Sequence, residues 1–239
     1  MKRLHAWLLP LLALGMGGVL LSAEASDAER FETQRQRMVD DDIAARGVKH
    51  AATLNALRKA PRHRFVPDEY VDRAYGDHPL PIGHGQTISQ PYIVAYMTAQ
   101  IQPAADDRVL EVGAGSGYQA AVLAQIVDEV YTMEIVPELA ESARKLLLND
   151  LEYENISVRQ GDGYHGWPDA APFDAIVVTA ASESIPPPLI AQLKEGGRMI
   201  IPVGPALGAQ HLVLVTKEGG RVRTRTLMPV RFVPFTREP

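Results

Sequence analysis

Cysteine is absent from the 239-residue sequence, which rules out disulfides, a thiol nucleophile and thiolate-held metals. Basic residues are not in excess: 24 Lys and Arg against 29 Asp and Glu leave a net charge of −5. A phosphate backbone demands a basic footprint, so nucleic acid is not expected as a partner. The seven histidines are scattered, without H-E-x-x-H or another close ligand spacing, and no metal is expected. Internal repeats and low-complexity tracts are missing too. One apolar run stands out, Leu8 to Leu21, too short to cross a membrane comfortably. Lys2 and Arg3 precede it and Ala23-Glu24-Ala25 follows it, the layout of a cleavable export signal. Residues 1–25 therefore read as a signal-peptide-like segment; the other readings of the same residues are an uncleaved anchor or a mis-called start codon. An exported, periplasmic chain without stable membrane association after cleavage is expected. Its residues 26–239 are long enough for a single domain with a large core, expected as a monomer.

What is present centres on the stretch from Arg108 to Gln119. A short apolar run, Val109 to Val112, reads as a buried strand. Gly113, Gly115 and Gly117 follow it, where the backbone must turn sharply and come close to a ligand. The Ala-rich segment from Tyr118 to Val127 then reads as a helix. Strand, glycine turn and helix together place a nucleotide site outside the carboxyl end of a parallel strand. The spacing is G-x-G-x-G, with Tyr118 where a dinucleotide fingerprint needs its third glycine, and it is not a phosphate-cradling G-x-x-x-x-G-K-[ST] either. Glu111, two residues before the first glycine, suits a cationic ligand better than a pyrophosphate. Glu134 ends the next expected strand, Val130 to Glu134, where a carboxylate can accept from both hydroxyls of a ribose. Glycine turn, Glu111 and Glu134 resemble the S-adenosylmethionine site of Rossmann-like methyltransferases.

The remaining chain fits an α/β order. Asp27 to Ala60 reads as a helical cap, broken at Gly47, with Phe31, Met38 and Ala45 at heptad spacing on one face. Asp77 to Pro91 reads as an irregular loop rich in Gly and Pro, either a solvated connection or a functional loop. Helices are expected from Tyr92 to Ile101 and from Pro137 to Asn149, where proline suits the first turn. A short helix should follow the prolines between Ile185 and Leu193. Strands are expected at Ile156–Arg159, Phe173–Thr179 and Gly197–Val203, then an antiparallel pair, His211–Thr216 and Arg221–Val230, joined near Gly219 and Gly220. Asp162, between Gly161 and Gly163 at a strand end, reads equally as an Asx-type turn or as an acceptor for an adenine amino group. Arg221, Arg223 and Arg225 alternate on one strand face, either solvated or recognising an anion. The fold expected is a doubly wound, mostly parallel sheet with one antiparallel strand.

Three further stretches narrow the reading: Pro81 to Pro91 with its Gly85-Gln86-Thr87-Ile88-Ser89-Gln90-Pro91 core, Gly161 to Trp167, and Val230 to Phe235. With the glycine turn they resemble the protein-L-isoaspartate O-methyltransferases from about Arg35 to Thr236. The Gly-Gln-Thr-Ile-Ser-Gln-Pro segment is specific to that family; the glycine turn is general. The resemblance implies a class I S-adenosylmethionine-dependent methyltransferase with no metal. It would methylate the α-carboxylate of L-isoaspartyl residues in damaged peptides and proteins, and the ester would close to a succinimide that can reopen to aspartate. By matching position Ser89 is the active-site serine. Gln86, Thr87 and Ile88 lie near donor and substrate in the same loop, and Thr236 matches a site-lining position. The donor set is completed by Glu111, Gly113, Gly115, Gly117 and Glu134, with Asp162 and Gly163 at the adenine. The family is usually cytosolic and lacks a segment like residues 1–25, a departure that bears on compartment and donor supply.

Rivals are weaker in the sequence. A serine hydrolase needs G-x-S-x-G, and Ser116 has Ala114 two residues before it; Ser142 and Lys145 match S-x-x-K only within a charged, Ala-rich helix. A non-catalytic nucleotide-binding protein has no use for the Gly85–Pro91 loop. Amino-nitrogen methyltransferases often carry [ND]-P-P-[YF] after the fourth strand, where this chain has Thr179-Ala180-Ala181-Ser182. A small-molecule O-methyltransferase of the same fold is the alternative.

Overall fold

A computed structural model of the chain describes residues 15–205 and 208–237, with side chains from Ser26 onward. The export-signal reading falls on residues 1–14, outside the described residues, and on 15–25, whose side chains are outside them. No helix among the described residues is long and apolar enough to cross a membrane.

A two-stranded hairpin comes first, β1 (Leu80–Gly83) with β2 (Gln86–Ile88). The main sheet holds β3 (Arg108–Val112), β4 (Glu129–Glu134), β5 (Ile156–Gln160), β6 (Phe173–Val178), β7 (Leu193–Val203), β8 (Gln210–Glu218) and β9 (Arg221–Val230). Their order is β5-β4-β3-β6-β7-β8-β9. From β5 to β7 neighbours run parallel, and β8 is antiparallel to both β7 and β9. The expected single antiparallel strand is therefore β8. The chain builds outward from β3 to β5, then returns to lay β6 on the other side of β3. That reversal is the switch point of a doubly wound sheet, where ligands bind beyond the carboxyl ends of the strands.

The central strands are apolar because both faces are covered. Val109, Ala175 and Val177 pack with the helices on one side; Leu110, Ile176 and Val178 pack with Leu189 and Leu193 on the other. The first side carries α2 (Ala51–Lys59), α3 (Pro91–Ile101) and α4 (Tyr118–Ala124), and α5 (Pro137–Arg144) follows β4. A short α6 (Pro187–Gln192) leads into β7.

The chain enters through α1 (Gly15–Arg37). Phe31 of α1 stacks on His63 with ring centroids 4.0 Å apart, and His63 Nδ1 lies 2.8 Å from the Tyr75 hydroxyl. Desolvation and then Arg35 push the His63 imidazole down to about 4. The heptad face expected from Phe31 through Ala45 does not hold. From Met38 to Ala44 the helix widens into π winding, with the Ala45 N–H on the Asp40 carbonyl at 3.1 Å. Wider turns rotate later side chains off the earlier face; Val39 and Ile43 are buried beside Met38, and Ala45 is exposed. The segment expected as an irregular loop also differs. Leu80 pairs with Ile88 and Pro81 with Thr87, around a turn in which Gly83, His84 and Gly85 all have positive φ. Buried Leu80 and Ile88 stabilise this short ribbon against the core.

Candidate functional site

The glycine turn is held from three sides. Gly113 and Ala114 donate their N–H groups to the Met133 carbonyl at 2.8 and 2.9 Å. The Thr179 hydroxyl donates to the carbonyls of Val112 and Gly113 at 3.0 and 2.6 Å, tying the end of β6 to the end of β3. Gly113 has φ +101°, and a Cβ there would collide with Thr179 Oγ1. Gly117 opens α4 with φ +87°, and its Cβ would lie 3.0 Å from Leu147 Cδ1. These positions combine a left-handed backbone with close approach, which glycine alone tolerates without strain.

Two carboxylates face the cleft beyond the turn. Glu111 on β3 is fully buried; its Oε2 accepts from Thr132 Oγ1 at 2.5 Å, and its Oε1 has no partner among the described residues. Burial pushes this carboxyl up to about 8 against the pull of Thr132, and repulsion from Glu134 adds to the rise. Glu134, closing β4, accepts from the Gly115 N–H at 2.7 Å and the Val136 N–H at 3.0 Å. Each carboxylate oxygen keeps capacity for a further donor. The cleft, open to solvent at its mouth, spans about 780 Å³ of space free of protein atoms.

Of the residues singled out in the sequence, Gln86, Thr87, Ile88 and Ser89 line this cleft from the hairpin side. Glu111, Gly113 and Gly115 line it from the turn, and Glu134 and Gly163 from the ends of β4 and β5. Thr236 reaches it from the tail. Gly117 and Asp162 stand outside the lining. Asp162 caps the turn at Gly163–His165 by accepting from the Tyr164 N–H at 2.9 Å, and its Oδ2 accepts from Arg237 Nε at 2.7 Å. Arg221 and Arg223 are exposed on β9, and Arg225 reaches Gln100 at 3.3 Å, so that face is solvated.

Sequence reasoning quoted the stretches holding several further lining residues but gave those residues no role. Thr179 and Ala180 sit at the end of β6, a position the switch-point rule marks once the strand order is known. Pro234 and Phe235 arrive from the far end of the chain. Val233 accepts from the Ala181 N–H and Phe235 donates to the Ala181 carbonyl, both at 2.8 Å, which lays the tail across the cleft.

Ser89 lies where the cleft meets a second groove. Thr87, Ser89, Thr179 and Val233 line both, and the groove continues past Tyr92, Met228 and Phe232. Asp77 anchors this corner. It accepts from the Tyr92 N–H at 2.9 Å, from Gln90 Nε2 at 2.7 Å and from Arg46 Nη1 at 2.5 Å. The Arg46 guanidinium also stacks 3.6 Å over the Tyr92 ring. Among the described residues no cluster of acids and histidines could hold a metal ion.

A family model described as Protein-L-isoaspartate(D-aspartate) O-methyltransferase matches residues 33–239. A protein-L-isoaspartate O-methyltransferase of Opitutus terrae is 56% identical over 230 residues, covering 96% of this chain and 97% of the relative. One from Gloeobacter violaceus is 58% identical over 203 residues, 84% of this chain and 98% of the relative. A solved protein-L-isoaspartate O-methyltransferase superposes with a TM-score of 0.77 at 29% identity, over 84% of this chain and 65% of that one. A Plasmodium falciparum structure containing S-adenosyl-L-homocysteine superposes with a TM-score of 0.73 at 24% identity, over 85% of this chain and 99% of that one, a likeness of fold.

Proposed function

The chain belongs to the protein-L-isoaspartate(D-aspartate) O-methyltransferase family, and we propose that its cleft and its groove divide that family's reaction between them and meet at Ser89. The chain transfers methyl from S-adenosylmethionine to isoaspartyl residues of damaged proteins, which begins their repair. The observation that carries the division of labour is the shared wall of cleft and groove at Thr87, Ser89 and Thr179.

The cleft suits the donor, which supplies its methyl group on a sulfonium. The unpartnered Glu111 Oε1 and the backbone of Gly113 and Gly115 in the cleft lining support this fit. In this reading Glu134 accepts from the ribose hydroxyls, Asp162 and Gly163 bound the adenine, Gly117 sets the turn, and Gln86, Thr87 and Ile88 close the donor from the hairpin. The methyl acceptor is an α-carboxylate of ordinary pKa about 3.3–3.7, already ionised near neutrality, so the chain supplies no general base. Ser89 donates to that carboxylate and aims one oxygen along the line of transfer, with reacting atoms about 3 Å apart. Opposite charges cancel as the new bond forms, and a site closed from water favours that step. Residues 1–25 would act as an export signal, after whose removal the chain leaves the membrane.

The test uses the protein with methyl-labelled S-adenosylmethionine and two peptides that differ only in isoaspartate or aspartate at one position. Base-labile label on the isoaspartyl peptide alone is the expected result. Label on neither, with donor binding intact, would point to a small-molecule acceptor.

A further inference from the structure

The charged residues lining the two cavities segregate by sign. The acids of the donor cleft are Glu134 and Glu111, the latter kept protonated near neutrality by burial in the ligand-free chain; the charged residues of the adjoining groove are Arg46 and Arg231, both basic. Cleft and groove share a wall at Ser89, so the sign of the field changes where methyl donor and acceptor would meet. A cationic donor suits the first cavity and an anionic segment suits the second. On a chain of net charge −5, a purely basic groove lining is a local exception to the overall field.

The two arginines are not equivalent. The Arg46 charge is committed: it pairs with Asp77 at 2.5 Å and stacks on Tyr92 at 3.6 Å. Arg231 is exposed and no ion pair reaches it among the described residues. It lines the groove and not the cleft, two residues along the chain from Val233, which lines both. A guanidinium placed there meets a neighbour of the reacting residue, not the reacting carboxylate at Ser89.

We propose that Arg231 is a specificity-determining residue, selecting damaged segments that carry an acidic side chain flanking the isoaspartyl residue. The assignment rests on the groove being the path of the methyl-accepting peptide. Arg231 then adds to the affinity of the peptide and to its rate of encounter, and has no part in donor binding.

The experiment compares kcat/KM at low salt for isoaspartyl peptides in pairs, identical except for Glu or Gln beside the isoaspartyl residue, on its N-terminal or its C-terminal side. Wild-type protein should favour the Glu member of at least one pair by roughly two- to five-fold, the range of an exposed ion pair. Arg231→Gln should bring that ratio to about one, and Arg231→Glu should invert it. Added salt should shrink the wild-type ratio. Equal use of both members by wild type, or a ratio that survives Arg231→Gln, would overturn the assignment while leaving the methyltransferase reading intact. Damage to the fold would slow both members alike and leave the ratio standing, and so counts against it. No label on any peptide would remove the repair reading, and the groove assignment with it.

Discussion

Glu134 and Ser89 sit in one cleft, and their chemistry separates what each should do when removed. Glu134 accepts from the Gly115 and Val136 N–H groups, so the carboxylate is already aimed before any ribose arrives. Glu134→Ala should weaken S-adenosylmethionine binding by about 1.5–3 kcal/mol, the worth of a hydrogen bond to a charged group. Titration calorimetry reads this directly, and unchanged affinity would take Glu134 out of the ribose role. Ser89 stands on the wall shared with the groove. Ser89→Ala should lower kcat for an isoaspartyl peptide while the donor dissociation constant stays within about two-fold, since the lost interaction is one hydrogen bond to the acceptor carboxylate and none to the donor. Equal loss in both quantities would mean that the hydroxyl mainly holds its loop. Glu111 and Glu134 were readable as a pair because each closes or interrupts an apolar strand. Thr179 was not readable in the same way: its neighbours in the cleft come from β3, and only the strand order brings them together.

Between β1 and α3 the chain is organised by Asp77, whose carboxylate gathers Arg46, Gln90 and the Tyr92 N–H. Those contacts set the start of α3 and, next to it, Ser89. Asp77→Asn keeps the shape but loses the charge that draws Arg46. It should lower kcat/KM for isoaspartyl peptides while donor affinity, measured separately, is retained, because the donor carboxylates lie on β3 and β4. Loss of donor binding in step with activity would show that Asp77 supports the whole cleft instead of this corner. The hairpin itself escaped sequence reading for a physical reason. Its strands are four and three residues long, Pro81 interrupts the first, and buried Leu80 and Ile88 are too few to print a period of two. The same limit explains the N-terminal cap: a heptad of apolar residues assumes constant winding, and the π turns from Met38 to Ala44 change it. The glycine turn was legible because its φ values are open to little besides glycine.

The alternation of apolar strands with helices was enough to anticipate a doubly wound sheet with one reversed strand, because the central strands β3 and β6 are buried and β3, β5, β7 and β8 each run straight into a glycine. The return of the tail across the cleft, through Ala181 to Val233 and Phe235, left no local signal, since both partners are ordinary loop residues. Burial on this scale also makes stability depend on pH, through Glu111 and His63 in opposite directions. Glu111 titrates near 4.5 when unfolded and near 8 when folded. Between those values the folded chain binds more protons than the unfolded one, so stability falls as pH rises through that window. The groups facing it are Thr132, which donates to it, and Glu134, which repels it. His63 goes from 6.5 unfolded to about 4 folded, so its contribution is present above 6.5 and is lost as pH falls toward 4. Thermal melts of the ligand-free protein across that range should therefore decline on both flanks. Glu111→Gln keeps an acceptor for Thr132 and removes the proton linkage, so it should flatten the decline from about pH 5 to about pH 8 and raise Tm most at the alkaline end. His63→Asn should flatten the acid flank instead. An alkaline decline that persists unchanged in Glu111→Gln would mean that the buried carboxyl stays ionised in the folded chain, held by a partner that its unpaired Oε1 must then acquire.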